Sequence, residues 1–211
     1  MRFSFCLSSL LALAALTACD STRETTTGRP TPTRASAPAP AAVAPGFRRE
    51  LTSGSYRYVV STRGPAGTRV LAVRAEQNGQ ELTTALDTIA GEVQQAQLAK
   101  LTTGPGDELL IFLRDDSRNA AGTVRGYWFG GQDWEPMEPL PPLTSAAARG
   151  YRGQDQFEVR GNMLRRSFPV YQPADAACCP SGGLRTIRYR MAESSLAFRQ
   201  VEVVNEPKAA R

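Results

Sequence analysis

The chain has 211 residues, a formal net charge of +5 and 41% hydrophobic residues, which is enough apolar material for a folded domain. It contains no histidine, and this excludes Ser-His-Asp triads, Cys-His nucleophiles and imidazole metal ligands. The composition therefore favours a folded protein that lacks most of the common catalytic designs.

Residues 1–18 have the layout of an export signal. Arg2 gives the positive start, and an apolar run with small residues follows at 7–16. This run is shorter than the roughly 20 residues that cross a bilayer as a helix. The motif Leu16-Thr17-Ala18-Cys19 resembles the lipobox of bacterial lipoproteins. That resemblance implies lipidation at Cys19 and a membrane-anchored protein of the cell envelope facing the periplasm, with the inner and the outer membrane both left open.

The segment 19–46 is predicted to be a linker that begins with the lipidated cysteine. Its composition is dominated by Thr, Pro, Ala, Ser and Arg, and it has no aromatic residue. Such a segment cannot bury enough apolar surface to fold, and its prolines favour an extended chain. We therefore expect a disordered tether between the membrane and the folded part.

Residues 47–206 are predicted to form an all-β domain, with 207–211 as a tail. The segments with strand-like alternation or apolar runs are 55–60, 68–73, 81–86, 109–113, 124–129, 157–160, 163–168, 184–191 and 196–204. Asn78-Gly79 and Gly161-Asn162 predict tight hairpin turns, and residues 91–101 fit either a strand or a short helix. The spacing of strands and turns indicates an antiparallel, sandwich-like fold with the continuous apolar run 109–113 at its centre.

Positive charge is concentrated in the C-terminal part of the chain, about 149–206. Residues 149–199 contain nine arginines and four acidic residues, whereas 47–148 contain ten basic and twelve acidic residues. This pattern is typical of a solvated basic face or of attraction to an anionic envelope surface. We do not expect nucleic acid as a partner, because an exported, anchored protein would rarely meet it.

Two adjacent cysteines remain once Cys6 leaves with the signal and Cys19 carries lipid. The α-carbons of Cys178 and Cys179 are predicted to lie about 3.8 Å apart, below the usual disulfide range of roughly 4.4–6.8 Å. The sequence leaves open a vicinal disulfide, two free thiols or pairing with another chain. No metal or cofactor is expected, since a zinc site would need two further ligands and histidine is absent.

Several motifs between about 85 and 143 resemble a known family. They are Gly91-Glu92-Val93, Leu98-Ala99-Lys100-Leu101, the run from Gly104 to Phe112, and Gly126-Tyr127-Trp128-Phe129. Together they resemble the periplasmic inhibitors of invertebrate-type lysozyme, exported all-β proteins whose loop enters the lysozyme cleft. The resemblance places a candidate partner-binding loop at 115–126, with the candidate residues Arg118, Gly122, Thr123, Val124 and Arg125. Where the family has a Ser-Gly-x-Tyr element, this chain has Ala121-Gly122-Thr123-Val124.

The sequence indicates a protein that acts by binding and is not an enzyme. The available carboxylate pairs are Asp115 with Asp116 and Asp155 with Glu158, and adjacent aspartates after a strand are typical turn formers. Two functions are open: a lysozyme inhibitor-like protein, or a structural or interaction lipoprotein that contacts another envelope protein or a polysaccharide through its basic C-terminal part.

Overall fold

A computed structural model of the protein describes residues 46–117 and 119–207. The regular structure within these ranges is β-strand, arranged in three antiparallel sheets of four strands each. The predicted all-β, sandwich-like fold class is therefore confirmed. None of the described segments is a helix long and apolar enough to span a membrane.

Each sheet is formed by four strands that follow one another in the sequence. The N-terminal sheet contains β1 (Phe47–Ser53), β2 (Tyr56–Arg63), β3 (Arg69–Gln77) and β4 (Gln80–Ile89). The central sheet contains β5 (Glu92–Ala99), β6 (Asp107–Arg114), β7 (Gly122–Phe129) and β8 (Trp134–Pro136). The C-terminal sheet contains β9 (Gln156–Arg160), β10 (Met163–Pro169), β11 (Leu184–Ala192) and β12 (Ala197–Glu206).

The central sheet packs on both of its faces. In β6, Leu109, Ile111 and Leu113 belong to a first core shared with the N-terminal sheet. Leu110 and Phe112 belong to a second core shared with the C-terminal sheet. Because successive side chains of a strand point to opposite faces, a strand buried on both sides is apolar at every position. This explains the continuous apolar run and confirms its central place.

Aromatic rings fill the first core. The Tyr58 ring lies 5.5 Å from that of Phe129 and 5.2 Å from that of Trp134, both in edge-to-face geometry. Tyr58 is fully buried, and its hydroxyl donates a hydrogen bond of 2.6 Å to Asp107 Oδ2 at the start of β6. The N-terminal and central sheets are thus joined by a packed aromatic cluster with a satisfied polar group at its edge.

The second core joins the central sheet to the C-terminal sheet. Its buried members from the C-terminal sheet are Leu164, Phe168, Ile187, Tyr189, Met191 and Phe198. The long connection between β8 and β9 contributes Met137 and Ala147 to the same core. The basic C-terminal part therefore presents one face of its sheet to this core, which leaves the opposite face of the sheet for solvent or a partner.

Candidate functional site

The candidate residues Gly122, Thr123, Val124 and Arg125 lie in β7, so the predicted strand 124–129 is confirmed and the loop predicted over 115–126 is wrong from Gly122 onward. The strand begins at Gly122, which pairs with Arg114 of β6. Val124 is buried in the second core, and Arg125 Nε lies 3.1 Å from Asp87 Oδ2 of β4. Thr123 is the exposed member of the four. The alternation that buries Val124 and exposes Thr123 is that of a strand. Arg118 lies outside the described residues.

The turn between β6 and β7 packs against the chain itself. Asp115 Oδ1 accepts hydrogen bonds from the amide of Ser117 (3.1 Å) and the amide of Ala121 (3.1 Å). The amide of Gln154 donates to the carbonyl of Asn119 at 3.1 Å. A Cβ at Gly153 would lie 1.8 Å from the same carbonyl, so only glycine allows this approach. The described part of the turn is therefore held against residues 153–154.

A buried ion pair fixes the C-terminal sheet to the start of β7. Arg166 Nε donates to Asp155 Oδ1 at 2.6 Å, and the amide of Gly122 donates to Asp155 Oδ2 at 2.6 Å. The hydroxyl of Tyr151 donates to the same carboxylate. Burial and this hydrogen bond to Asp155 raise the pKa of Tyr151 to about 12. Asp155 and Glu158, one of the two carboxylate pairs that the sequence offers, do not share a site, because Glu158 lies on the solvent side of the sheet and bonds to Arg160.

The nine arginines between 149 and 199 fall into three groups. Arg166 is buried beside Asp155. Three others, Arg149, Arg152 and Arg185, line a cavity at the end of the C-terminal sheet. The remaining five alternate with core residues along their strands and so occupy the outer face of the sheet: Arg160, Arg165, Arg188, Arg190 and Arg199.

The strand register orders the five outer arginines in two rows. In the first row, Arg160 lies opposite Met163, Met163 opposite Arg190, and Arg190 opposite Arg199. We call these four residues the basic row. The second row, in the same strand order, consists of Glu158, Arg165, Arg188 and Glu202. The two rows thus hold five arginines and two glutamates, and a third glutamate, Glu206, lies farther along the same face, opposite Leu184.

The two rows differ in how their charges are paired. In the second row, Arg188 Nη1 lies 2.6 Å from Glu202 Oε2, and Arg165 Nη1 lies 3.4 Å from Glu158 Oε2. Glu158 also bonds to Arg160 of the basic row, and this bond is the main reason why the pKa of Glu158 is lowered. Within the described residues, neither Arg190 nor Arg199 has a carboxylate partner.

Like charges directly opposite each other on neighbouring strands destabilise a sheet. The pair Arg190 and Arg199 has this arrangement and is exposed to solvent. An anionic group placed over the pair would turn repulsion into two charge-assisted hydrogen bonds. The sequence showed the excess of arginine in this part of the chain, but the pairing of Arg190 with Arg199 depends on the register of β11 and β12.

Cys178 and Cys179 lie in the loop between β10 and β11, where the structure joins their sulfur atoms in a disulfide. The amide of Val170 donates to the carbonyl of Gly183 and closes the ends of the loop. Inside it, Asp175 accepts hydrogen bonds from the amide of Gln172 and from Ser181, and these bonds hold the pKa of Asp175 below its usual value. Both cysteines are exposed at the tip.

Comparison with known proteins does not identify a function, which is therefore inferred from the residues of the chain. No family model and no curated protein matches the sequence. The likeness to the lysozyme inhibitors therefore rests on the sequence motifs, which fall mainly in the central sheet. Lipidation at Cys19 stays a prediction, because the signal, Cys19 and the linker up to residue 45 lie outside the described residues.

Proposed function

We propose that this chain is a lipid-anchored binding protein of the cell envelope, which holds an acidic surface of another envelope protein against the outer face of its C-terminal sheet. The anchor is the predicted lipid on Cys19. The single observation that carries the binding function is the cross-strand pair Arg190 and Arg199, which has no carboxylate partner among the described residues.

Three features of the outer face support a protein partner. The face carries five arginines against three glutamates, so its net charge is positive and it attracts an acidic surface and orients it. Arginine and methionine are both enriched in protein interfaces, and Met163 lies between Arg160 and Arg190 in the basic row. The opposite face of the sheet is packed in the second core, so a partner on the outer face leaves the fold unchanged.

Site-specific crosslinking in growing cells tests this function. A photoreactive amino acid replaces Met163 in the full-length protein, and the same replacement is made at Leu86, an exposed position of the N-terminal sheet. We expect a discrete crosslinked species from position 163. The double variant Arg190→Gln/Arg199→Gln should abolish that species.

The matched control removes two charges elsewhere. Arg49→Gln/Arg63→Gln changes two exposed arginines of the N-terminal sheet that have no carboxylate partner among the described residues. This variant should keep the crosslink at position 163. Equal crosslinks from positions 163 and 86, or equal loss in the two double variants, would contradict a binding surface on the C-terminal sheet.

A lysis assay separates this function from the one implied by the family resemblance. Peptidoglycan-walled cells are treated with lysozymes of the chicken, goose and invertebrate types, with and without the purified full-length protein. Because the start of β7 is part of the central sheet and the turn before it is held by residues 153–154, we expect no inhibition at micromolar protein. Inhibition of the invertebrate type alone, lost when residues 115–121 are replaced by Gly and Ser, would make the protein an inhibitor instead.

A further inference from the structure

A second basic site lies beside the outer face but does not belong to it. A cavity of about 410 Å³ opens between the end of the β8–β9 connection and the loop that follows β10. Arg149, Arg152 and Arg185 line it together with the apolar surfaces of Val170, Tyr171 and Pro173. Its size lies within the range of small-molecule sites, and its walls combine apolar surface with a few charged groups, as such sites do.

Arg185 is held rigidly while its charge stays unpaired. Its Nη1 donates to the carbonyl of Ala147 at 2.8 Å and to that of Arg149 at 2.7 Å. Its Nε donates to Asn205 Oδ1 at 2.7 Å. All of these acceptors are neutral, so none of them offsets the positive charge of the guanidinium at the cavity wall. A fixed guanidinium of this kind loses little side-chain entropy when an anion binds.

Arg152 lines the cavity beside Tyr171. Its guanidinium carbon lies 4.7 Å from the centre of the Tyr171 ring. The hydroxyl of this tyrosine is already used, because it donates to the carbonyl of Ala177 and accepts from Gln154. Arg152 Nη1 donates to the backbone carbonyl of Asp175 at 3.5 Å, whereas the carboxylate oxygens of Asp175 bond to Gln172 and Ser181. Arg152 therefore stacks on an aromatic wall and retains donors for a ligand.

The backbone between Arg149 and Arg152 requires glycine at position 150. Gly150 has a φ of +76°, and a Cβ there would lie 2.5 Å from the carbonyl oxygen of Tyr171. The amide of Tyr171 donates to the carbonyl of Gly150 at 2.8 Å. Gly150 thus fixes the chain against the cavity wall between Arg149 and Arg152. In the described part of the chain, none of the three cavity arginines has a carboxylate within ion-pair distance.

From this arrangement we infer that the cavity binds a small oxyanion, a carboxylate or a phosphate monoester, carried on an apolar group. Planar guanidinium groups recognise such oxyanions with paired hydrogen bonds. The apolar group would lie along Val170, Tyr171 and Pro173. This site goes beyond the proposed partner surface, since its arginines are not those of the basic row.

Titration calorimetry tests the cavity with defined probes. The full-length protein in detergent micelles is titrated with benzoate, phenyl phosphate, inorganic phosphate and benzyl alcohol, with empty micelles as the blank. We expect binding of at least one aromatic anion, weaker binding of inorganic phosphate and none of benzyl alcohol. The tighter of the two aromatic anions identifies the preferred oxyanion, and added salt should weaken its binding.

Variants locate the site and separate it from the partner surface. Arg149→Gln and Arg152→Gln should each raise the dissociation constant by about tenfold, as expected when a charge-assisted hydrogen bond is lost. Arg160→Gln removes an exposed arginine of the basic row and should leave probe binding unchanged. The inference is overturned if neither aromatic anion binds, if benzyl alcohol binds as tightly as the anions, or if Arg160→Gln weakens binding as much as the cavity variants. Crosslinking at position 163 is measured on the same variants. A failure of the cavity proposal is thereby distinguished from a failure of the proposed partner surface.

Discussion

Arg166 Nε donates a hydrogen bond of 2.6 Å to Asp155 Oδ1, and the side chain of Asp155 has no exposed surface. The same carboxylate accepts the amide of Gly122 and the hydroxyl of Tyr151, so each of its oxygens has at least one donor. This pair joins the C-terminal sheet to the first residue of β7. It therefore links the sheet that carries the basic row to the centre of the fold.

Removal of Asp155 should strongly destabilise the protein. Asp155→Ala leaves the Arg166 guanidinium buried without its counter-ion, and the loss of one partner of a buried pair costs about 3–5 kcal/mol. Urea denaturation followed by tryptophan fluorescence measures the change in the free energy of unfolding. Glu158→Ala removes an exposed carboxylate that also pairs with arginine, and it should shift the midpoint far less. Similar shifts for the two variants would show that the buried pair contributes no more than a surface pair.

Gly91 should be intolerant of substitution. It connects β4 to β5 with a φ of +90°, and a Cβ there would lie 2.3 Å from the carbonyl oxygen of Arg114. We expect Gly91→Ala to cost about 2–4 kcal/mol from combined backbone strain and overpacking. Gly161→Ala is the matched control, because Gly161 also has a positive φ but has nothing within 4 Å of its Cβ position. Thermal unfolding should show the larger loss for Gly91→Ala, and equal losses would refute the steric explanation.

Much of the fold could be predicted from local patterns. Asn78 and Gly79 adopt the positive φ values that a two-residue turn requires, and they join β3 to β4 as expected. Residues 91–101 were ambiguous because Gln and Ala are common in helices, and packing of Val93 and Ala96 in the first core selects the strand. β1 was missed, since only Phe47 and Leu51 of this charged edge strand pack against the core.

The site was less predictable, because it depends on pairing between distant strands. The arginine excess of 149–199 was visible in the sequence, but the division of these arginines between a core, a cavity and an outer face follows from strand register. The predicted loop at 115–126 failed at its C-terminal half for a related reason. Thr123, Val124 and Arg125 alternate as a strand does, and pairing with β6 extends β7 back to Gly122.

Alkaline pH should unfold the protein as its buried tyrosines ionise. Burial is the largest cause that raises the pKa of Tyr127 and of Tyr151 to about 12, and it also raises those of Tyr58 and Tyr189. The folded state thus favours the neutral phenols, whereas an unfolded chain ionises near pH 10. Their contribution to stability is fully present below about pH 10 and is lost as the pH rises toward 12.

The test follows phenolate absorbance and circular dichroism in one alkaline titration. We expect the absorbance of these four tyrosines to rise together with the loss of the β-sheet signal. Tyr127→Phe should reduce the amplitude of that coincident step by one phenolate. Complete phenolate formation near pH 10 with the sheet signal intact would contradict the burial of these groups.

The bond between Cys178 and Cys179 should be detectable by mass and nearly neutral for global stability. If it forms in the envelope, the purified protein gains two hydrogen atoms on reduction, and intact mass spectrometry under denaturing, non-reducing conditions resolves this change.

Cross-links that close long loops stabilise by about 2–4 kcal/mol because they restrict the unfolded chain. A ring of two adjacent residues restricts it very little, and the loop ends are already closed by Val170 and Gly183. Cys178→Ser/Cys179→Ser should therefore leave the unfolding midpoint almost unchanged. A large drop in the midpoint, or an unchanged mass on reduction, would contradict a vicinal bond of this kind.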